Sequence, residues 1–331
     1  MRLLITGGAG YVGSHVAKAL RQAGHEVITF DNLSTGHEWA VKWGPLERGD
    51  LRDGERLREV FARYQIDAVL HFAALAYVGE SMREPYLYFD NNVAGTLCLL
   101  RAMSRASVRL LVFSSTCAVY GAPQALPITE SSLLSPCNPY GESKRIIEQM
   151  LHWVGTCNGL RWVALRYFNA AGCDPECETG ELHQPETHLI PSLLNSVLEG
   201  SQPCPIYGAD YPTPDGTCVR DYVHVTDLAE AHLRALGYLE KGGESRSMNL
   251  GSGRGFSVLE VVKGVGTVTG RAARVRVESR RPGDPPVLVA GIDMASRVLS
   301  WQPVHSSLEE ILSTAWAWHR KSAMQLGTAL S

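Results

Sequence analysis

A glycine-rich turn directly behind the first aliphatic run restricts this chain more than any other feature. Residues 3–6 read as a short buried strand, and Gly7-Gly8-Ala9-Gly10-Tyr11-Val12-Gly13 follows at once. The segment satisfies both G-x-x-G-x-x-G (Gly7, Gly10, Gly13) and G-x-G-x-x-G (Gly8, Gly10, Gly13). Glycines at these positions let the backbone turn tightly and approach a pyrophosphate, which rests on the N-terminus of the next helix. Such turns also serve ordinary packing, so the motif alone says little. Its weight comes from the second strand, expected over 26–30, which runs into Asp31. A carboxylate there binds an adenosine ribose diol and repels a 2′-phosphate, which favours NAD over NADP. Two further strand ends fit the same site: Asp50 near the adenine, and Phe72-Ala73-Ala74, small enough for a cofactor to pass the strand tip.

Strand-like runs at 3–6, 26–30, 68–72, 110–114 and 162–167 alternate with amphipathic stretches at 12–23, 53–64, 93–104 and 140–153. That alternation implies right-handed crossovers and a parallel sheet covered by helices on both faces. The expected fold is α/β, a Rossmann-like doubly wound parallel sheet with a smaller, interleaved C-terminal substrate-binding lobe. After about Asn169, loops rich in Gly, Pro and Asp separate shorter elements, with helices expected at 189–199, 225–239, 257–269 and 307–320. The expected division is an NAD-binding domain over 1–170 and a mainly substrate-binding lobe over 171–331, with 248–250 returning to the first sheet.

Charge and cysteine usage narrow the class. The formal net charge is −3 and no basic block occurs, which leaves no footprint for nucleic acid. No apolar run approaches the ~18 residues a membrane span needs, and the opening residues leave no cleavable leader before the glycine turn. The eight cysteines are scattered, and the close pair Cys173 and Cys177 lacks a second pair. Reduced thiols, no metal site and a cytoplasmic location are the expectation.

Chemistry is carried by Tyr140-Gly141-Glu142-Ser143-Lys144, which puts a phenol and an ammonium on one helical face. A free phenol has a pKa of about 10, too high for a base at neutral pH. A neighbouring ammonium and an oxidised nicotinamide both favour phenolate, so the pair can take an alcohol proton while hydride leaves the same carbon. The strand expected at 110–114 ends in Ser114-Ser115-Thr116, and Thr116 is the candidate hydroxyl beside the reacting oxygen. A Ser/Thr run that merely caps the strand is the alternative.

These segments, together with His71-Phe72-Ala73-Ala74, Val78-Gly79-Glu80-Ser81 and Arg166-Tyr167-Phe168-Asn169, resemble the UDP-glucose 4-epimerase family of extended short-chain dehydrogenases/reductases. The resemblance continues through Tyr211-Pro212-Thr213, Val219-Arg220-Asp221-Tyr222, Asn249-Leu250-Gly251 and Arg281-Pro282-Gly283-Asp284, and so spans nearly the whole chain. It implies interconversion of UDP-galactose and UDP-glucose by transient oxidation at C4, with NAD tightly bound and Thr116, Tyr140 and Lys144 catalytic. It extends the NAD site to Gly7, Gly10, Tyr11, Val12 and Gly13; to Asp31, Asn32, Leu33, Ser34, Thr35 and Gly36; and to Asp50, Leu51, Phe72, Ala73, Ala74, Asn91, Tyr140, Lys144 and Phe168. Thr116, Asn169, His188, Leu189, Tyr207, Arg220, Arg281, Asp284 and Leu288 are the implied UDP-sugar contacts, although Tyr207 reads equally as core and Arg220 as a surface partner of Asp221. A homodimer is implied through 93–104 and 140–153.

The sequence departs from the family pattern in places. Thr116 stands where serine is also common, Ala76 where some members have lysine, and His188 where others have Asn. Leu288 is neither the tyrosine nor the small cysteine or serine associated with narrow and broad sugar specificity. Cys117 and Ala118 occupy the places of the carboxylates that a 4,6-dehydratase or a decarboxylase needs. Epimerisation of UDP-N-acetylglucosamine or UDP-xylose would use the same catalytic set and stays open, as does a non-enzymatic NAD sensor on the same fold.

Overall fold

The computed structural model describes residues 1–198, 202–281 and 283–325. Thirteen strands follow one another among the described residues. They are β1 (Arg2–Thr6), β2 (Glu26–Asp31), β3 (Leu46–Arg48), β4 (Ala68–His71), β5 (Leu110–Thr116), β6 (Arg161–Tyr167) and β7 (Asn169–Ala171), then β8 (Cys204–Tyr207), β9 (Val219–His224), β10 (Arg246–Leu250), β11 (Gly255–Ser257), β12 (Val275–Glu278) and β13 (Val287–Leu288). Seven of them form one sheet in the order β10-β6-β5-β4-β1-β2-β3, and every pairing in it is parallel. The strand order reverses between β1 and β4. A crevice opens there beyond the carboxyl ends of the strands, the place where doubly wound sheets bind ligands.

Both faces of this sheet are buried, and the strand sequences show why. In β1, Leu3 and Ile5 join one hydrophobic cluster while Leu4 joins the other. The same split divides Leu70 from Val69, Val112 from Leu111 and Phe113, and Val163 and Leu165 from Ala164. Period-two alternation with apolar residues on both sides is the signature of a strand sandwiched between helices. Helices Tyr11–Gln22 and Val225–Glu240 cover one face; Gly54–Tyr64, Gly95–Arg105 and Pro139–Asn158 cover the other. A smaller sheet, β11-β9-β13 with β7 also on β9, and the pair β12-β8 lie outside the large sheet.

The expected strand over 248–250 does return, as part of β10 paired with β6. Other boundaries differ for local reasons. The helix expected from 93 begins at Gly95, because the six residues Phe89–Ala94 form a wider π-type turn. The helix expected over 140–153 runs from Pro139 to Asn158, capped by the Asn138 side chain and ended by Gly159 in the left-handed conformation. The helix expected over 189–199 covers Leu189–Ser196. Glu199 lies outside the described residues, as do Pro282 of the later motif and the end of the expected lobe beyond 325. The edge strand β3, only three residues long, went unread because it offers too short a period to detect.

A buried polar network joins β5, β6, β10 and the helix Pro139–Asn158. Arg166 donates from Nε to Glu148 Oε1 at 2.9 Å and from a second nitrogen to Oε2 at 2.5 Å. Ser115 and Ser247 also donate to this carboxylate, and Arg166 donates to the Tyr120 hydroxyl at 2.8 Å. Both partners of the ion pair are more than nine-tenths buried. Removing one leaves the other charge uncompensated in low dielectric, which costs about 3–5 kcal/mol. Arg166→Met is therefore expected to lower the apo protein's unfolding free energy by about that amount. Denaturant unfolding compared with the parent checks it, and an unchanged midpoint would contradict the role.

Candidate functional site

The glycine turn sits at the mouth of the crevice between β1 and β4. Gly7 has φ +73° and lies so close to the chain after β4 that a Cβ on it would stand 2.5 Å from the Ala73 nitrogen. A Cβ on Gly13 would stand 2.2 Å from the Gly7 carbonyl oxygen. The helix Tyr11–Gln22 starts from Gly10 with no side-chain cap and no acidic residue in its first turn. Its N–H groups and dipole are thus left to an anion, and the shape fits a dinucleotide pyrophosphate.

Asp31, at the tip of β2, is buried and accepts from the Ala9 and Leu33 N–H groups at 3.0 and 2.8 Å. Burial pushes its carboxyl up, and these two hydrogen bonds act the other way. A carboxylate has about four acceptor positions, so it retains capacity for a ribose diol. The loop bearing Asn32, Leu33, Ser34, Thr35 and Gly36 folds over the turn: Asn32 accepts from the Ser34 N–H, and the His37 N–H donates to the Ala9 carbonyl at 2.9 Å. Asp50 is engaged elsewhere, held by Arg52 well below the usual carboxylate range and by Asn32. Leu51 is buried in the core beneath, and Phe72 packs on His232 with ring centres 4.8 Å apart.

The catalytic candidates converge at the tip of β5. Gly141 is pressed onto the chain after β5, where a Cβ would lie 2.5 Å from the Ala118 carbonyl oxygen. This close approach sets Tyr140 beside Thr116. Burial pushes the Tyr140 phenol up to about 12, and the nearby Thr116 hydroxyl opposes the rise. The Lys144 ammonium lies 6.0 Å from the Tyr140 ring centre and 4.8 Å from that of Phe113, and donates to the Ser114 carbonyl at 2.8 Å. Burial pushes this lysine down to about 7, opposed by Glu148 one turn further along the helix. Burial thus disfavours either charge alone, while a phenolate beside an ammonium compensates both.

On the other side of the crevice, Arg220 pairs with Asp284, and Arg281 lies over the Tyr207 ring at 3.9 Å. Tyr207 therefore meets an arginine and is only partly buried. The neighbouring Asp221 is no partner of Arg220; it turns inward and accepts from the Ser252, Gly253 and Ala290 N–H groups. Asn169 donates to the Asp221 carbonyl at 2.9 Å, and Phe168 and Leu288 pack in the cluster around Val119 and Tyr120.

A family model described as the NAD dependent epimerase/dehydratase family matches residues 3–251, three quarters of the chain. The chain belongs to that family. A UDP-glucose 4-epimerase from Rhizobium meliloti (strain 1021) is 50% identical over 319 residues, covering 96% of this chain and 97% of its own. One from Halalkalibacterium halodurans is 48% identical over 321 residues, covering 97% and 96%. The crystal structure of UDP-glucose 4-epimerase from Brucella ovis in complex with NAD superposes with a TM-score of 0.93 at 48% identity, covering 96% of this chain and 97% of that one.

Within this epimerase/dehydratase fold, several residues that the sequence left unread support the site. Asn92 is buried in the wide turn; it accepts from the Leu75 N–H and donates to the Leu75 carbonyl and the Ser143 hydroxyl. It ties the loop after β4 to the helix bearing Tyr140, while the neighbouring candidate Asn91 donates to Asn92 itself. His71, buried between Thr6 and Thr96, is pushed down to about 3 by burial and the Lys144 charge. The loop before helix Leu189–Ser196 also gathers Glu181, His183, Glu186 and His188. Burial opposes charge on His188, but Glu181 and Glu186 outweigh it and hold the imidazole up at about 10. The E-x-H-x-x-E-x-H spacing was the only sequence signal for this group.

Asp31→Asn keeps one acceptor for the turn but removes the charge facing a ribose diol. Losing a charge-assisted hydrogen bond costs about 1.5–3 kcal/mol, so NAD should bind roughly 10–100-fold more weakly, with NADP discrimination relaxed. Calorimetry with both cofactors reads this, and unchanged affinities would show that Asp31 does not face the ribose.

Proposed function

We propose that this chain interconverts UDP-galactose and UDP-glucose, with Tyr140 as acid and base at the sugar 4-hydroxyl. The meeting of Tyr140 with Thr116 and Lys144 beside the glycine turn carries the reading. NAD, when bound, supplies the acceptor and donor for the C4 hydrogen. The Tyr140 oxygen takes the hydroxyl proton as the C4–H bond breaks and returns it when that bond re-forms on the opposite face. Thr116 steadies the C4 oxygen, and the Lys144 ammonium compensates the phenolate. One group serving both directions suits a reaction with no net redox change.

The nucleotide must stay anchored while the 4-keto sugar turns over. Arg220 and Arg281 offer paired guanidinium donors to a diphosphate. Asp284 orients Arg220, and the Tyr207 ring supports Arg281 from below. Asn169, His188 and Leu189 complete the proposed nucleotide contacts. We divide the chain accordingly into an NAD-binding part, 1–170, and a mainly UDP-sugar-binding part, 171–331, with β10 returning to the large sheet. The exposed Trp153 and Leu97 on helices Pro139–Asn158 and Gly95–Arg105 support a homodimer through those helices. All eight cysteines are free, which supports a cytoplasmic location; among the described residues, no helix is long and apolar enough to cross a membrane.

Tyr140→Phe removes one hydroxyl and no packing volume. Turnover of UDP-galactose should fall by roughly 10²–10⁴, the range for losing a general acid–base, with NAD and UDP binding kept. Product chromatography and calorimetry on one preparation check both halves, and near-full activity would exclude Tyr140 as the base. Leu288 packs beside Phe168 and Cys117 and pairs in register with Arg220. Forcing excess volume into a packed pocket costs about 1–3 kcal/mol, so N-acetylated UDP-sugars should turn over roughly 5–150-fold less well than the parent pair. Leu288→Ser should narrow that gap and Leu288→Tyr widen it; a ratio equal in all three proteins would show that Leu288 does not face the sugar.

A further inference from the structure

The loop between β7 and the helix Leu189–Ser196 carries a group of side chains of which the proposed reaction uses only His188. The ligand atoms of Glu181, His183, Glu186 and His188 all lie within 4.8 Å of one another. His188 Nδ1 stands 2.8 Å from Glu181 Oε1 and 3.2 Å from Glu186 Oε1. His183 Nδ1 stands 3.2 Å from the same Glu181 oxygen and 3.6 Å from Glu186 Oε2. Zinc binds imidazole and carboxylate at about 2.0–2.1 Å, so neighbouring ligands on a tetrahedron lie roughly 3.3 Å apart. The two distances to the shared Glu181 oxygen, 2.8 and 3.2 Å, lie just below that value, and Glu186 offers one oxygen to each imidazole.

A second observation concerns how His183 sits in the group. His183 Nδ1 is buried and has no hydrogen-bond partner, although a carboxylate oxygen is 3.2 Å away. The nitrogen lies near two carboxylates without being aligned to donate to either, so on losing its proton it can turn a lone pair to a centre between them. The loop is held from outside the group. The Trp318 indole donates to the Glu181 carbonyl and His37 meets the Leu182 carbonyl, each at 2.8 Å, while the Tyr77 ring packs against both imidazoles. Charge balances once the ion displaces the imidazole protons: two carboxylates and two neutral imidazoles then cancel one divalent cation.

We propose that Glu181, His183, Glu186 and His188 form a four-ligand site for a divalent transition cation of the zinc class. Two imidazole nitrogens disfavour magnesium and calcium, which take oxygen ligands. Four protein ligands leave no open position, so the ion is structural: it clips the loop to a fixed shape ahead of the helix that His188 begins. Coordination through Nδ1 leaves His188 its Nε2–H as a donor, so the site is compatible with a nucleotide contact at the same residue.

The test uses tag-free, full-length protein with its NAD content measured in every sample. After dialysis against zinc and gel filtration, elemental analysis should find about one zinc per chain, and cobalt substitution should give the intense visible bands of a tetrahedral ion. His183→Ala and the near-isosteric Glu186→Gln should each weaken zinc binding at least roughly tenfold while NAD stays bound. Less than about a tenth of an equivalent of zinc with no cobalt bands, or full zinc retention in both variants, overturns the site. Because NAD content and UDP-galactose turnover are read separately, failure of the metal site would leave the epimerase reading standing.

Discussion

Where β1 and β4 part, the Gly7 backbone runs so close to Phe72 and Ala73 that no side chain fits between them. The Thr6 carbonyl accepts from both the Phe72 and Ala73 N–H groups, at 2.8 and 3.0 Å, and locks the two strand ends together. Everything in the crevice takes its position from this contact. It aims the uncapped helix N-terminus into the opening and sets the level at which Asp31, one strand over, reaches Ala9. A parallel sheet delivers all its carboxyl ends to one edge, so a site built there draws on several strands at once.

The second contact of this kind, Gly141 against Ala118, does for the chemistry what Gly7 does for the cofactor. It brings a helix start onto a strand tip and so places phenol, hydroxyl and ammonium in one dry pocket. Behind that pocket, Lys144 is anchored on the Ser114 carbonyl and Ser115 on Glu148, so neighbouring residues of one strand serve the site and the buried ion pair. Helical spacing makes this division possible: Lys144 and Glu148, one turn apart on the helix Pro139–Asn158, meet the same strand side by side.

In the proposed reaction, affinity for the sugar nucleotide falls to the other lobe. Arg220 lies on β9, opposite Leu288 of β13, and Asp284 comes from the turn between β12 and β13. The proposed anchor Arg220 and the residue proposed to gate sugar size therefore share one small sheet. A change in that sheet would reach the proposed sugar site without touching Tyr140.

Sequence alone determined the features whose cause is local. The glycine turn, the alternation of buried strands with amphipathic helices, Asp31 at a strand end and the four-residue Tyr140–Lys144 spacing all follow from backbone sterics and helical or strand periods. Only the tertiary structure decided the pairings between distant segments. Arg166 with Glu148, Arg220 with Asp284 rather than with its neighbour Asp221, and Asn92 with Ser143 leave no periodic trace along the chain. Such contacts depend on where whole strands and loops come to rest, and the sequence near each partner carries no record of the other.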